Sequence, residues 1–196
     1  SQNCIHGLAV IDNMLWIGTH ANGIDVMDLR TERVTKHYTL SANTAMRTNN
    51  IVVYLYQTRD KQLYVATDLG VYCFNAAKDT FELSSQFPNN CRIQTLFEDH
   101  EGTIWAGTVN RGLYYYNPST GRHGEFKLDS LSLRINRTVN HIHEDKQHNL
   151  WFATGNGIKM YNRETRQTRQ YDMLDGLPSN IIYRIEEDDN GCLWIS

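Results

Sequence analysis

The sequence predicts an all-β fold of repeated four-stranded antiparallel sheets, and three observations predict it. The first is composition: aromatic residues make up 11% of the 196 residues, with eleven Tyr and four Trp against only three Pro. Aromatic side chains suit a pleated, half-buried surface, and no long stretch carries apolar residues at the helical period. The second is a recurring motif: Leu15-Trp16-Ile17-Gly18-Thr19, Leu63-Tyr64-Val65-Ala66-Thr67, Ile104-Trp105-Ala106-Gly107-Thr108, Leu150-Trp151-Phe152-Ala153-Thr154 and Leu193-Trp194-Ile195-Ser196. The third is the context that travels with the motif at a drifting period in the forties, a constant unit joined by loops of variable length.

Each unit reads as strands A to D. Strand A is Val52 to Tyr56, Ile93 to Phe97, Val139 to His143 and Ile182 to Glu186 in the second to fifth repeats. It runs into a polar turn such as Glu98-Asp99-His100-Glu101-Gly102 or Glu187-Asp188-Asp189-Asn190-Gly191. Strand B bears the motif. A glycine follows (Gly23, Gly70, Gly112, Gly157) and most simply supplies a positive φ. Strand C is then Ile24 to Asp28, Val71 to Asn75, Leu113 to Asn117 and Ile158 to Asn162, and the weaker strand D is Val34 to Tyr38, Phe81 to Leu83, Phe126 to Leu128 and Thr168 to Tyr171. The first repeat has only a short A to B turn, Asp12-Asn13, which is expected to make its sheet irregular.

A single twisted four-stranded sheet has two apolar faces and cannot bury both alone. Stacking such sheets around an axis solves this, so the repeats predict a β-propeller fragment with blades at about 1–38, 39–83, 84–128 and 129–171, and an incomplete fifth at 172–196. The Leu/Trp/Ile of strand B should fill the space between blades, the small residue after them should admit the next sheet closely, and the Thr should hydrogen-bond a turn. Positions needed in every blade build the blade. Closure takes about four to eight blades, so four repeats plus the start of a fifth are expected to form an open arc cut from a larger propeller. A bare sheet face at each end would invite a homodimer or other self-association.

Several function classes are disfavoured. The formal charge is −3, without the clustered Lys/Arg of a nucleic-acid footprint. No apolar run approaches the roughly 18 residues of a membrane span, and no phosphate loop or nucleophile elbow occurs. The Glu98-Asp99, Glu144-Asp145 and Glu187-Asp188 pairs resemble glycosidase carboxylates, but recurrence at the A to B hairpin assigns them to turn chemistry. His141, His143 and Asp145 alternate along one strand as zinc ligands can, yet the aligned repeats hold Tyr54 and Tyr56, Thr95 and Phe97, or Arg184 and Glu186, and no fourth ligand is visible. No metal and no cofactor is therefore expected. Cys4, Cys73, Cys91 and Cys192 form no CxxC pair; most are expected to be small buried hydrophobes, and their number permits disulfides without demanding them.

The run Gly176-Leu177-Pro178-Ser179-Asn180, Glu187-Asp188, Gly191, Leu193-Trp194-Ile195-Ser196 resembles the two-component regulator propeller repeat. The resemblance extends over all the repeats, with departures at Leu63-Tyr64 and in the loop, which is complete only in the last repeat. It implies the periplasmic sensor region of a Bacteroidetes-type hybrid two-component histidine kinase: propellers, an immunoglobulin-like domain, a membrane helix and a kinase, often followed by a DNA-binding part. Such receptors commonly detect glycan fragments and regulate transcription. The resemblance implies that this segment has no catalytic activity and that the parent chain is membrane-anchored.

In propellers the B to C and D to A loops lie together around the channel mouth. The B to C loops here are His20-Ala21-Asn22, Asp68-Leu69, Val109-Asn110-Arg111 and Gly155-Asn156, and the D to A loops end at Asn50, Asn90-Cys91-Arg92, Arg137 and Asn180. They differ from repeat to repeat, as a surface for an asymmetric ligand requires. His20, Asn22, Asp68, Asn110, Arg111, Arg137 and Asn156 are the candidate ligand-binding residues, offering the amides, guanidinium and carboxylate that an oligosaccharide uses. Two alternatives remain: a scaffold for protein association without a small ligand, and an enzyme similar to streptogramin lyase, for which His20 would be the mouth-face histidine.

Overall fold

The computed structural model describes residues 4–40, 51–127 and 137–196. They form two compact units, residues 1–93 and 94–196. In the first unit, β1 (Ile5–Ile11), β2 (Met14–Thr19), β3 (Ile24–Asp28) and β4 (Arg33–Tyr38) make an antiparallel sheet in the order of the chain. A second such sheet is β5 (Val52–Gln57), β6 (Leu63–Thr67), β7 (Gly70–Asn75) and β8 (Thr80–Leu83). The second unit, from Gln94, carries the sheets of β9 (Ile93–Glu98), β10 (Ile104–Thr108), β11 (Leu113–Tyr116) and β12 (His123–Phe126), then of β13 (Val139–Glu144), β14 (Leu150–Thr154), β15 (Gly157–Asn162) and β16 (Gln167–Tyr171). A 3-10 turn at Met173–Asp175 leads to the two-stranded pair β17 (Ile185–Glu187) and β18 (Leu193–Ile195).

The predicted strands recur in the predicted order, with departures: strand A of the fifth repeat is only Ile185–Glu187, where Ile182 to Glu186 was expected. The fourth strand of the third sheet is His123–Phe126, ahead of the predicted Phe126 to Leu128, and Leu128 lies outside the described residues, as does Asn50. The first sheet is four-stranded and irregular in register, with shifts between Ile5 and Gly7 and between Val26 and Met27. Its Asp12 and Asn13 both take positive φ (47° and 66°), the geometry of a two-residue hairpin turn whose twist matches its strands, so Ile11 pairs directly with Met14.

The motif residues do what a blade needs. In the first unit Trp16, Ile24, Val26, Val52, Leu55, Leu63 and Val65 belong to one buried core drawn from both sheets. In the second, Trp105 and Leu113 pack against Val139, Ile142, Leu150 and Phe152, and Ala153 and Ile158 against Ile182 and Ile185. Each fully buried Ile, Leu or Phe is worth about 1.5–3 kcal/mol. The small residue after the motif is sterically required: a Cβ on Gly18 would sit 2.4 Å from Val52 Cγ1, and one on Gly107 2.8 Å from the Val139 carbonyl oxygen.

The Asp of the hairpin turns is structural. Asp99 Oδ1 accepts the Glu101 and Thr103 amides, Asp145 Oδ1 those of Gln147 and Asn149, and Asp188 Oδ1 those of Asn190 and Cys192. The other oxygen accepts the indole N–H of the motif Trp, at 2.6 Å for Trp105, 2.7 Å for Trp151 and 3.0 Å for Trp194. Asp145 is thereby committed to its turn, and His141 Nδ1 faces the Ile185 amide at 3.4 Å, so the alternating His141, His143 and Asp145 do not converge on a metal. None of the four cysteines is disulfide-bonded. Cys91 is buried, and burial pushes the Cys73 thiol up to about 11, whereas Cys4 and Cys192 are exposed, contrary to the expectation of buried hydrophobes for most.

Candidate functional site

The B to C loops are built on one repeated clasp. The motif Thr hydroxyl donates to the carbonyl of the following glycine: Thr19 to Gly23 at 2.9 Å, Thr67 to Gly70 at 2.8 Å, Thr108 to Gly112 at 2.7 Å and Thr154 to Gly157 at 2.8 Å. The same oxygen accepts an amide from inside the loop, that of Asn22, Leu69, Arg111 or Asn156. Positive φ at each glycine (77°, 140°, 81° and 82°) closes the turn. The B to C and D to A loops are then tied together, because Asn90 N–H donates to Leu69 O, Gly112 N–H to Arg137 O and Gly157 N–H to Asn180 O. The backbone is constant, and the side chains between Thr and Gly are free to vary.

The seven candidate residues fall into different situations on this frame. Asn22, Arg111 and Asn156 are exposed, each held through its backbone amide to a motif Thr. Asn110, at φ 63°, exchanges hydrogen bonds with the Thr138 hydroxyl, at 3.2 Å through its amide and 3.2 Å through its side chain. Arg137 lies against Gly112 and pairs with Glu125, so Asn110, Arg111 and Arg137 share one corner of the second unit. In the first unit Asp68 pairs with Arg92 at 2.9 Å. His20, half-buried, stands apart from these.

His20 is part of a cluster that the loop alignment did not contain. Its ring meets that of His6 edge-on, with centroids 4.9 Å apart, and His6 Nε2 lies 3.3 Å from Cys4 Sγ. One donor atom from each residue comes within 4.8 Å of the others. The legible signal was the spacing Cys4-x-His6 at the start of strand A, because an antiparallel hairpin brings that start to the end of strand B, where His20 follows Thr19.

A second cluster sits at the hairpin turns of the second unit. Glu144 accepts the His100 amide at 2.8 Å and faces His100 Nδ1 at 2.5 Å, the His100 and His148 rings stack at 3.8 Å, and Arg163 reaches Glu144, Asp99 and Glu101. This carboxylate is already saturated by protein donors.

The two component regulator propeller family matches residues 86–110, 132–156 and 176–196. Three segments of the chain thus resemble the two component regulator propeller repeat. The chain is 27% identical over 190 residues to histidine kinase P4 of Formosa agariphila, covering 93% of this chain and 13% of that protein. Among solved structures, the extracellular domain of the putative hybrid two component system BT4673 from B. thetaiotaomicron superposes with a TM-score of 0.79 at 24% identity, over 98% of this chain and 26% of that one. The corresponding domain of BT3049 from the same organism gives 0.74 at 19%, over 97% and 25%. These likenesses establish the propeller architecture. The chain spans about an eighth of the kinase and a quarter of each solved domain.

Proposed function

We propose that this chain is part of the extracytoplasmic, periplasmic sensor region of a hybrid two-component histidine kinase, and that its Thr-to-Gly loops take a glycan fragment whose binding is signalled across the membrane. The observation that carries the reading is one clasp repeated four times with different loop side chains on each copy, a scaffold that presents a non-repeating polar surface. The relative's description as a histidine kinase and the neighbours' as extracellular domains of hybrid two component systems support the receptor context. Exposed Arg111 and Asn110, beside the Arg137–Glu125 pair, supply donors and acceptors of the kind that fix sugar hydroxyls.

Calorimetric titration of the receptor's whole extracellular region with a panel of oligosaccharides tests this. Saturable binding is expected, weakened about tenfold by Arg111→Ala, which corresponds to about 1.4 kcal/mol. Silence across the panel would favour the protein-association scaffold, and release of new reducing ends would favour an enzyme.

A further inference from the structure

We propose that Cys4, His6 and His20 form a binding site for a zinc-type transition-metal ion, with three protein ligands and one position left open. The proposal is independent of whether the loops bind a glycan.

The ladder between β1 and β2 assembles the trio. Ile5 pairs with Thr19, and the His20 amide donates to the Cys4 carbonyl at 3.0 Å, so the residues on either side of that pair are forced together. Between Ile5 and Gly7 the register slips, leaving His6 as the extra residue of a β-bulge. Bulges re-aim a side chain, and here the imidazole comes to within 3.3 Å of the Cys4 sulfur.

The spacing suits zinc. Bonds of about 2.3 Å to sulfur and about 2.0–2.1 Å to nitrogen at a tetrahedral angle put the two donors about 3.6 Å apart. The Cys4–His6 separation is close to that, and all three donors lie within 4.8 Å of one another. A thiolate with two imidazoles is a soft donor set that prefers Zn²⁺, Co²⁺ or copper to Mg²⁺ and Ca²⁺. The independent observation is on His20: its Nδ1 is buried and has no hydrogen-bond partner. Buried polar atoms of native proteins are almost always satisfied, and a ring held by a metal beside two other ligands has the reason this one lacks.

The register also shows that the second and fourth sheets lack the site. Val52 pairs with Thr67 and Val139 with Thr154, as Ile5 does with Thr19, so the equivalent trios are Ile51, Val53 and Asp68, and Thr138, Asn140 and Gly155. Neither can hold zinc. The His100, Glu144 and His148 cluster is a poorer host, because Arg163 and the His100 amide already occupy its carboxylate. Exposure of Cys4 and His6 leaves the open side of the first cluster facing solvent, where water or a ligand donor can complete the tetrahedron.

The test is titration of the full chain with Co²⁺ and competition with Zn²⁺. Binding of one equivalent is expected, with a thiolate-to-cobalt charge-transfer band and tetrahedral d–d bands. Cys4→Ser should abolish the charge-transfer band, and Cys4→Ser and His20→Gln should each weaken binding by more than about a hundredfold. His148→Gln should change nothing. Alkylation of the unaltered chain gives a second readout: Zn²⁺ should slow modification of Cys4 at least about tenfold while exposed Cys192 reacts as before. A cobalt spectrum without sulfur ligation, wild-type affinity in Cys4→Ser or His20→Gln, or equal alkylation of Cys4 with and without Zn²⁺ would overturn the proposal.

Discussion

The β1–β2 and β13–β14 hairpins occupy the same place in their sheets and close on different chemistry. In the fourth sheet Asp145 gathers the Gln147 and Asn149 amides, the Asn149 side chain and the Trp151 indole N–H. In the first, a two-residue turn leaves no room for such an Asp, and Trp16 Nε1 is buried without a partner. Aromatic packing takes over: Trp16 stacks on Tyr38 at 5.7 Å and meets Phe74 and Phe81 edge-on at 5.2 and 6.2 Å. Tyr38 is fixed in turn by its hydroxyl on Asp79 at 2.6 Å, alongside the Lys36–Asp79 pair at 2.8 Å. The repeat therefore keeps the aromatic ring, and the polar clasp around it is replaceable.

The largest effect should come from the clasp that also holds a cation. Asp99 is fully buried, binds its own turn and Trp105, and receives Arg163. Asp99→Ala leaves the half-buried guanidinium short of a partner and should cost about 3–5 kcal/mol in chemical denaturation. Asp12→Ala, in the exposed two-residue turn, loses a residue tolerant of positive φ and an exposed, weak ion pair with Lys61, and should cost about 1 kcal/mol. Equal costs would break the comparison.

What the two hairpins share should respond equally. A Cβ on Gly23 would lie 2.2 Å from the Tyr38 carbonyl oxygen, and one on Gly157 2.2 Å from that of Tyr171, both at positive φ. Gly23→Ala and Gly157→Ala should each cost about 3 kcal/mol, strain and clash together. At Gly112 the nearest atom is the end of the Arg137 side chain, 2.9 Å away, which can swing aside. Gly112→Ala should therefore cost less than either in the same thermal-melt series.

The indoles sharpen the contrast. Trp151→Phe deprives Asp145 of a donor and should cost about 2 kcal/mol. Trp16→Phe removes an orphaned N–H whose burial itself costs about 1–3 kcal/mol, so the lost ring volume is offset and the net change should stay below about 1 kcal/mol. A larger loss for Trp16→Phe would mean that this indole N–H is satisfied in solution.

The blades were legible because their signals are local and repeated: motif, glycine and hairpin Asp recur in sequence, and each acts on atoms a few residues away. The Thr-to-Gly clasp could be read for the same reason. The Cys4, His6 and His20 cluster could not be read from an alignment of repeats, since it is peculiar to one sheet and needs the bulge at His6. The commitment of Arg137 to Glu125 and of Asp68 to Arg92 was equally hidden, because pairing across loops depends on side-chain reach, which periodicity does not encode.

The smallest expected effect is a pH dependence confined to the second unit. His141 is held below its ordinary pKa, chiefly by burial, with further repulsion from Arg184 and His143 partly offset by Glu186. Its Nδ1 faces the Ile185 amide and can accept a hydrogen bond from it only while that nitrogen carries no proton. A histidine whose folded pKa is depressed takes up a proton more readily in the unfolded chain. Its contribution is therefore complete above the unfolded value of about 6.5 and is lost as pH falls from there through the folded value. Urea midpoints followed from pH 8 to pH 5 should fall more steeply for the natural chain than for His141→Gln, whose amide keeps an acceptor without titrating. Parallel curves would show that the β13–β17 contact is indifferent to His141 protonation, leaving the Asp turns as the feature that sets the fourth sheet apart from the first.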